Sequence, residues 1–113
     1  MIKPVEITEL YKLTVETWGP KTQLDMVIEE AVEVIHACMK LKRAIKKCPE
    51  KGWQGEEANQ VAEEAVDSLI TLGQMQYILG NGDQAQYEFW DRVMDNFYTE
   101  KVAKLMVKLG ADL

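Results

Sequence analysis

Three clusters of glycine and proline, at Gly19-Pro20, from Pro49 to Gly55 and at Gly80-Asn81-Gly82, cut this sequence into four segments. Within each segment the apolar residues recur at helical spacing and none alternates with period two, so helices are expected throughout and strands are not. The first segment, from about Pro4 to Trp18, carries Ile7, Leu10, Tyr11, Thr14 and Trp18 in that pattern, with Pro4 suited to a first turn where a missing N–H costs nothing. The second starts near Pro20 and places Leu24, Val27, Ile28, Ala31, Ile35, Cys38 and Ile45 on one face. It ends in Lys40, Lys42, Arg43, Lys46 and Lys47, which complement the negative end of a helix. The third, from about Glu56 to Leu79, aligns Ala58, Val61, Ala62, Ala65, Leu69 and Leu72, and its Gly73 either admits a close neighbour or simply weakens the helix. The fourth begins after Asp83, which with Gln86 resembles a capping box, and runs through Tyr87, Trp90, Met94, Phe97, Leu105 and Leu109.

Four helices joined by short loops favour an antiparallel bundle, and 113 residues provide one core. The expectation is a single all-α domain over residues 1–113. The aromatic residues Phe89, Trp90, Phe97 and Tyr98 on the last helix are too many to bury in so small a monomer, which predicts a homodimer or homotetramer. A formal charge of -6 opposes binding to a nucleic-acid polymer. No run of apolar residues is long enough for a membrane span, and the first residues lack a signal-peptide core, so a cytoplasmic protein is expected. Cys38 and Cys48 fit no zinc spacing and read as thiols.

The middle two helices contain an echo: Glu29-Glu30-Ala31-Val32-Glu33 in one and Glu63-Glu64-Ala65-Val66-Asp67 in the other. At about 100° per residue, Glu30 and Glu33 border the apolar face beside Met26 and Ala37, while Glu64 and Asp67 hold the same offset beside Gln60 and Thr71. Antiparallel packing then gathers four carboxylates in one cleft. Partly desolvated like charges repel and raise one another's pKa values, so something positive must compensate. Oxygen ligands without a thiolate or imidazole set suit Mg²⁺, with Mn²⁺ as an alternative, and such ions neutralise phosphate charge and activate water. Glu29 and Glu63 face solvent, or one of them serves as general base. The plain alternative is that acidic pairs three residues apart are common on solvated helix faces; the repeat on consecutive helices at a matched offset weighs against it.

With Trp18-Gly19 and Gln23 ahead of Ile28-Glu29-Glu30-Ala31-Val32-Glu33, and Glu63-Glu64-Ala65-Val66-Asp67 after a connecting loop, the chain resembles the MazG-like branch of the all-α nucleoside triphosphate pyrophosphatases. The resemblance covers roughly Trp18 to Leu79. It implies Mg²⁺-dependent cleavage of a nucleoside triphosphate to monophosphate and pyrophosphate. It implies further that Glu30, Glu33, Glu64 and Asp67 are metal ligands and Glu29 an adjoining acid, and that the activity clears surplus or noncanonical nucleotides.

Other residues have weaker claims. Trp18 and Trp53 can stack on a base and Gln23 can hydrogen-bond one, although aromatics near helix ends more often serve core or interface. Lys42 and its basic neighbours, or Lys101 and Lys104 on the last helix of an adjoining subunit, can meet phosphates, although solvated lysine is the ordinary case. His36 follows Glu33 by three residues, as in di-iron carboxylate bundles, but the partner helix has no matching histidine. No phosphate-binding glycine loop and no Ser-His-Asp set is present. The rival readings are a non-catalytic helical adaptor or oligomerisation module, and a phosphoribosyl-ATP pyrophosphohydrolase-like enzyme.

Overall fold

A computed structural model describes residues 3–110, with the side chains of residues 4 and 5 left aside. All its regular structure is helical, and no strand occurs among the described residues. The helices are α1 (Pro4–Trp18), α2 (Pro20–Lys47), α3 (Pro49–Gly52), α4 (Glu56–Leu79) and α5 (Gln84–Lys108). Prolines open α1, α2 and α3, where φ is already helical and an N–H would have no partner. Gly19, at φ 85°, is the single residue between α1 and α2, and its N–H closes α1 on the Val15 carbonyl at 2.8 Å. Between α4 and α5, Asn81 and Gly82 both take positive φ, and the Gly82 N–H returns to the Tyr77 carbonyl at 2.8 Å. The Asp83 carboxylate then caps α5 by accepting from the N–H groups of Ala85 and Gln86, at 2.7 and 3.2 Å. The expected loop from Pro49 to Gly55 contains the extra helical turn α3.

The main packing is α2 against α4, as an antiparallel hairpin, with α1 laid across one end. Its seam is lined by Gln23, Ala37, Thr71 and Gln74, small or polar side chains that are all buried. The apolar core is small and lies where α1 meets α4: Val15, only 2% exposed, packs with Tyr77 and Ile78, backed by Tyr11, Val27 and Tyr87. Of the two readings of Gly73, the structure selects the close neighbour. A Cβ there would lie 2.5 Å from Cε2 of Tyr11.

Two expectations are corrected. The stripes expected to form the core of the bundle are open along much of their length within one chain: Ile28 and Ile35 on α2 are 56% and 57% exposed, and Leu69 on α4 is 65% exposed. The row of α2 that is covered runs through Gln23, Val27, Glu30, Val34, Ala37 and Leu41, and Ile28 and Ile35 flank it. Nor does α5 close a four-helix bundle. It packs on α4 near its own start, through a stacked Tyr77–Tyr87 pair with ring centroids 4.2 Å apart and a Gln76–Asp91 hydrogen bond of 3.0 Å. Met94, Phe97, Tyr98 and Leu105 farther along are exposed. The Cα radius of gyration is accordingly 17.5 Å, against about 13 Å for a compact domain of this length. No helix among the described residues is long and apolar enough to cross a membrane.

Gly73 supplies a test of the α1–α4 contact. Alanine in an unobstructed helix gains about 1 kcal/mol over glycine, whereas overpacking costs about 1–3 kcal/mol. Gly73→Ala is therefore expected to lower the stability of the parent chain but to raise it by about 1 kcal/mol in a Tyr11→Ala background. Urea unfolding of the four proteins in this cycle measures the change of sign; a gain in both backgrounds would refute the contact.

Candidate functional site

The seam between α2 and α4 brings the two acidic repeats together. Gln23 lies near Thr71 and Gln74, and Glu30 near Asp67. Glu33 is close enough to Glu64 to act on its ionisation. The pairings run in opposite directions along the two helices, as an antiparallel hairpin requires. One carboxylate oxygen each from Glu30, Glu64 and Asp67 lies within 4.8 Å of the others. Glu30 and Glu64 are half-buried, while Glu29, Glu33, Glu63 and Asp67 are exposed.

This proximity has an electrostatic cost. Burial is the larger influence raising the pKa of Glu30 above its ordinary value, followed by the charges of Asp67, Glu33 and Glu29. Burial likewise leads for Glu64, followed by Glu33, Asp67, Glu30 and Glu63. None of these acids forms a salt bridge with a lysine, arginine or histidine among the described residues. The donor set consists of hard oxygens. Around Mg²⁺, with metal–oxygen distances of about 2.1 Å, ligands lie about 3 Å apart when adjacent and about 4 Å when opposite. Modest side-chain rotation from the observed spacing would therefore close a coordination set, so the residues fit a hard divalent cation.

Beside the acids lies a cleft of about 290 Å³, walled by Trp18, Gln23, Met26, Glu30, Asp67, Ile70, Thr71 and Gln74. Trp18 ends α1 with its ring 59% exposed at the rim. Thr71 turns its hydroxyl back onto the Ser68 carbonyl at 2.9 Å, the local bond a helical threonine commonly makes. Gln74 donates to Thr14 Oγ1 at 3.1 Å, and Thr14 donates to the Tyr11 carbonyl at 2.7 Å, which ties this wall to α1. Gln23 is only 4% exposed and lines this wall of the cleft. An amide at the cleft wall can both donate to and accept from a ligand.

The expected site residues thus divide into two groups. Of the four expected ligands Glu30, Glu64 and Asp67 converge, whereas exposed Glu33 stands outside that trio while acting on Glu30 and Glu64; Glu29 lies beside Glu30, and Trp18 and Gln23 share a cleft with Glu30 and Asp67. Trp53 and Lys42 instead line a separate cavity with Cys38, Leu41 and Ile45. Lys104 lies on α5, paired with Glu100 at 3.0 Å, and Lys101 is exposed on the same helix; neither lines the cleft within one chain. His36 is exposed and is not one of the three converging ligands. Sequence reasoning missed Gln74 and Ile70. Gln74 follows Asp67 and Thr71 at seven and three residues, a spacing that places it on their face of α4.

The raised acid pKa values fix the sign of a stability effect. The native acids hold protons more tightly than the unfolded chain, so they reduce stability as pH rises from about 4.5 through their raised native values. In chelator at neutral pH, Glu30→Gln and Glu64→Gln are expected to melt at a higher temperature than the parent, and the gain should vanish on acidification. Thermal melts across that interval check this; a lower melting temperature for Glu30→Gln would mean that its carboxylate is held by a stabilising partner. Comparison of the chain with family models, curated proteins and solved structures returned no match.

Proposed function

We propose that this chain is a Mg²⁺-dependent nucleoside triphosphate pyrophosphohydrolase of the MazG-like kind, releasing monophosphate and pyrophosphate. The observation that carries this reading is the convergence of Glu30, Glu64 and Asp67 within 4.8 Å, with no salt bridge to a protein cation among the described residues, beside a cleft walled by an exposed tryptophan and the Gln23 amide. A purely structural acidic patch would gain nothing from this arrangement, because neither burial nor repulsion is compensated.

Glu30, Glu33, Glu64 and Asp67 would hold Mg²⁺, with Mn²⁺ as an alternative, and the bound ion would supply charge neutralisation at the phosphates and a more acidic water. Trp18 offers a ring face to the base, and the Gln23 amide offers a donor and an acceptor to its edge. Glu29 lies close enough to Glu30 to raise its pKa and is exposed, so it can accept the proton of the attacking water. Water adds across the α–β anhydride, one P–O bond forming as another breaks, and pyrophosphate leaves with the electron pair of the broken bond. Substrates of this class arise from surplus or noncanonical nucleotides.

The enzyme is further proposed to be a homodimer or homotetramer. The open apolar stripes of α2 and α4 and the aromatic length of α5 exceed what a monomer of this size ordinarily leaves in water. Lys101 and Lys104 would then act only if a second subunit carried them to the cleft. The same surfaces favour a second reading, a non-catalytic adaptor or oligomerisation module.

Incubation with Mg²⁺ and a panel of ribo-, deoxy- and modified nucleoside triphosphates, with phosphoribosyl-ATP included, separates the readings. Monophosphate and pyrophosphate are the expected products, lost in chelator and reduced by at least about a hundredfold in Glu30→Gln, in line with loss of a metal ligand. Turnover of phosphoribosyl-ATP alone would reassign the substrate. No turnover of any compound by folded protein would favour the adaptor.

A further inference from the structure

At the opposite end of the α2–α4 hairpin from Trp18 is a cleft of about 430 Å³ that the proposed reaction does not use. We infer that it is a binding site for a multiply charged phosphate anion, of the pyrophosphate or nucleoside diphosphate class, separate from the acidic cluster. Lys40, Arg43 and Lys47 approach it from α2 and Lys51 from α3, while Glu57 is the one carboxylate in its wall.

The charge at this cleft contrasts with the rest of the molecule. The chain is acidic overall, yet residues 34–49 contain five Lys and Arg and no Asp or Glu. None of the four cations at the cleft forms a salt bridge among the described residues. Complementing the α2 C-terminus does not account for them. That end carries only about half an elementary charge, and Lys46 is also there to meet it. Residues 40–57 as a whole carry six Lys and Arg against Glu50, Glu56 and Glu57, so a positive excess remains after half a charge at the helix end. Distant acids do not cancel it. Lys40 is seven residues from Glu33, about 10 Å along the helix, beyond a Debye length of about 8 Å.

The backbone builds the concavity. A Cβ on Gly52 would sit 2.7 Å from the Ile45 backbone, so α3 lies directly against α2, placing Lys51 on the cleft wall opposite the α2 cations. Lys40, Arg43 and Lys47 follow one another at three and four residues on one face of α2 and span about 10 Å. That length suits two linked phosphates better than one, and the volume lies in the range of small-ligand sites.

The cleft also contains its own reporter. Cys48 is exposed and lies in its wall, whereas Cys38 is exposed in another cavity. The test titrates the full chain with inorganic pyrophosphate in chelator, where metal-dependent turnover is absent, and follows iodoacetamide alkylation of each cysteine by mass spectrometry. Saturable binding is expected, with Cys48 protected and Cys38 unchanged. Arg43→Ala/Lys47→Ala, checked by circular dichroism, should weaken binding by roughly tenfold or more, since each lost charge-assisted contact matters. Glu30→Gln and Lys101→Ala/Lys104→Ala should leave it intact. Adenosine diphosphate in a parallel arm distinguishes a site for free pyrophosphate from one for a nucleotide, and weakening of either by the cleft variant supports the inference. Equal slowing of both cysteines, equal loss in the α5 variant, or no binding of either probe would overturn it. Because no step requires Mg²⁺ or hydrolysis, these outcomes are independent of the triphosphatase assay.

Discussion

The close approach of α2 and α4 along Gln23, Ala37, Thr71 and Gln74 is the contact on which the other features of the structure depend. Small side chains admit the approach, and polar ones in the seam must either be satisfied or be left available. Thr71 and Gln74 are satisfied, by Ser68 and Thr14. Gln23, only 4% exposed, stands in the wall of the acidic cleft. The same seam forces Glu30 next to Asp67 and Glu64, and at its far end it positions α3 against Ile45. Both clefts are therefore products of one helix pairing, with opposite charge at their walls.

That separation of charge follows from the order of residues on α2. Its four acids lie in the first half and five of its six cations in the second, so a single helix carries an acidic region and a basic one on a continuous face. Interaction between them falls off beyond a Debye length, which allows each to meet a ligand of the opposite sign without neutralising the other.

Much of the local structure was legible in the sequence because it follows short-range rules. Pro4, Pro20, Gly19, the Gly80-Gly82 turn and the Asp83 cap each act within a few residues, and the helices begin and end where these residues require. The acidic cluster was legible for a related reason: two equal spacings on adjacent antiparallel helices converge whenever the helices pair. What the periodicity did not reveal was which face would pair. An apolar stripe such as Ile28 and Ile35 marks surface that favours burial, but it does not specify what covers it. Gln74 escaped notice because its place depends on α1 crossing α4. Trp53 and Lys42 were grouped with the acids by chemical type, whereas α3 directs that stretch toward another cavity.

The attachment of α5 has a mechanical consequence. Its start is fixed by the Tyr77–Tyr87 stack and the Gln76–Asp91 bond, while residues 94–108 run on for about 22 Å with only Met106 half-buried. The helix is a lever with its fulcrum at the tyrosine pair. The arm from Tyr87 to Lys108 is about 32 Å, so a tilt of about 10° there displaces the tip by about 5.5 Å, nearly four residues of helical rise. Small repacking of two rings is thereby converted into a large change in where Lys101, Lys104 and Leu105 are presented, and any surface that grips the far end acts back on Tyr77 and the core around Val15 through the same arm.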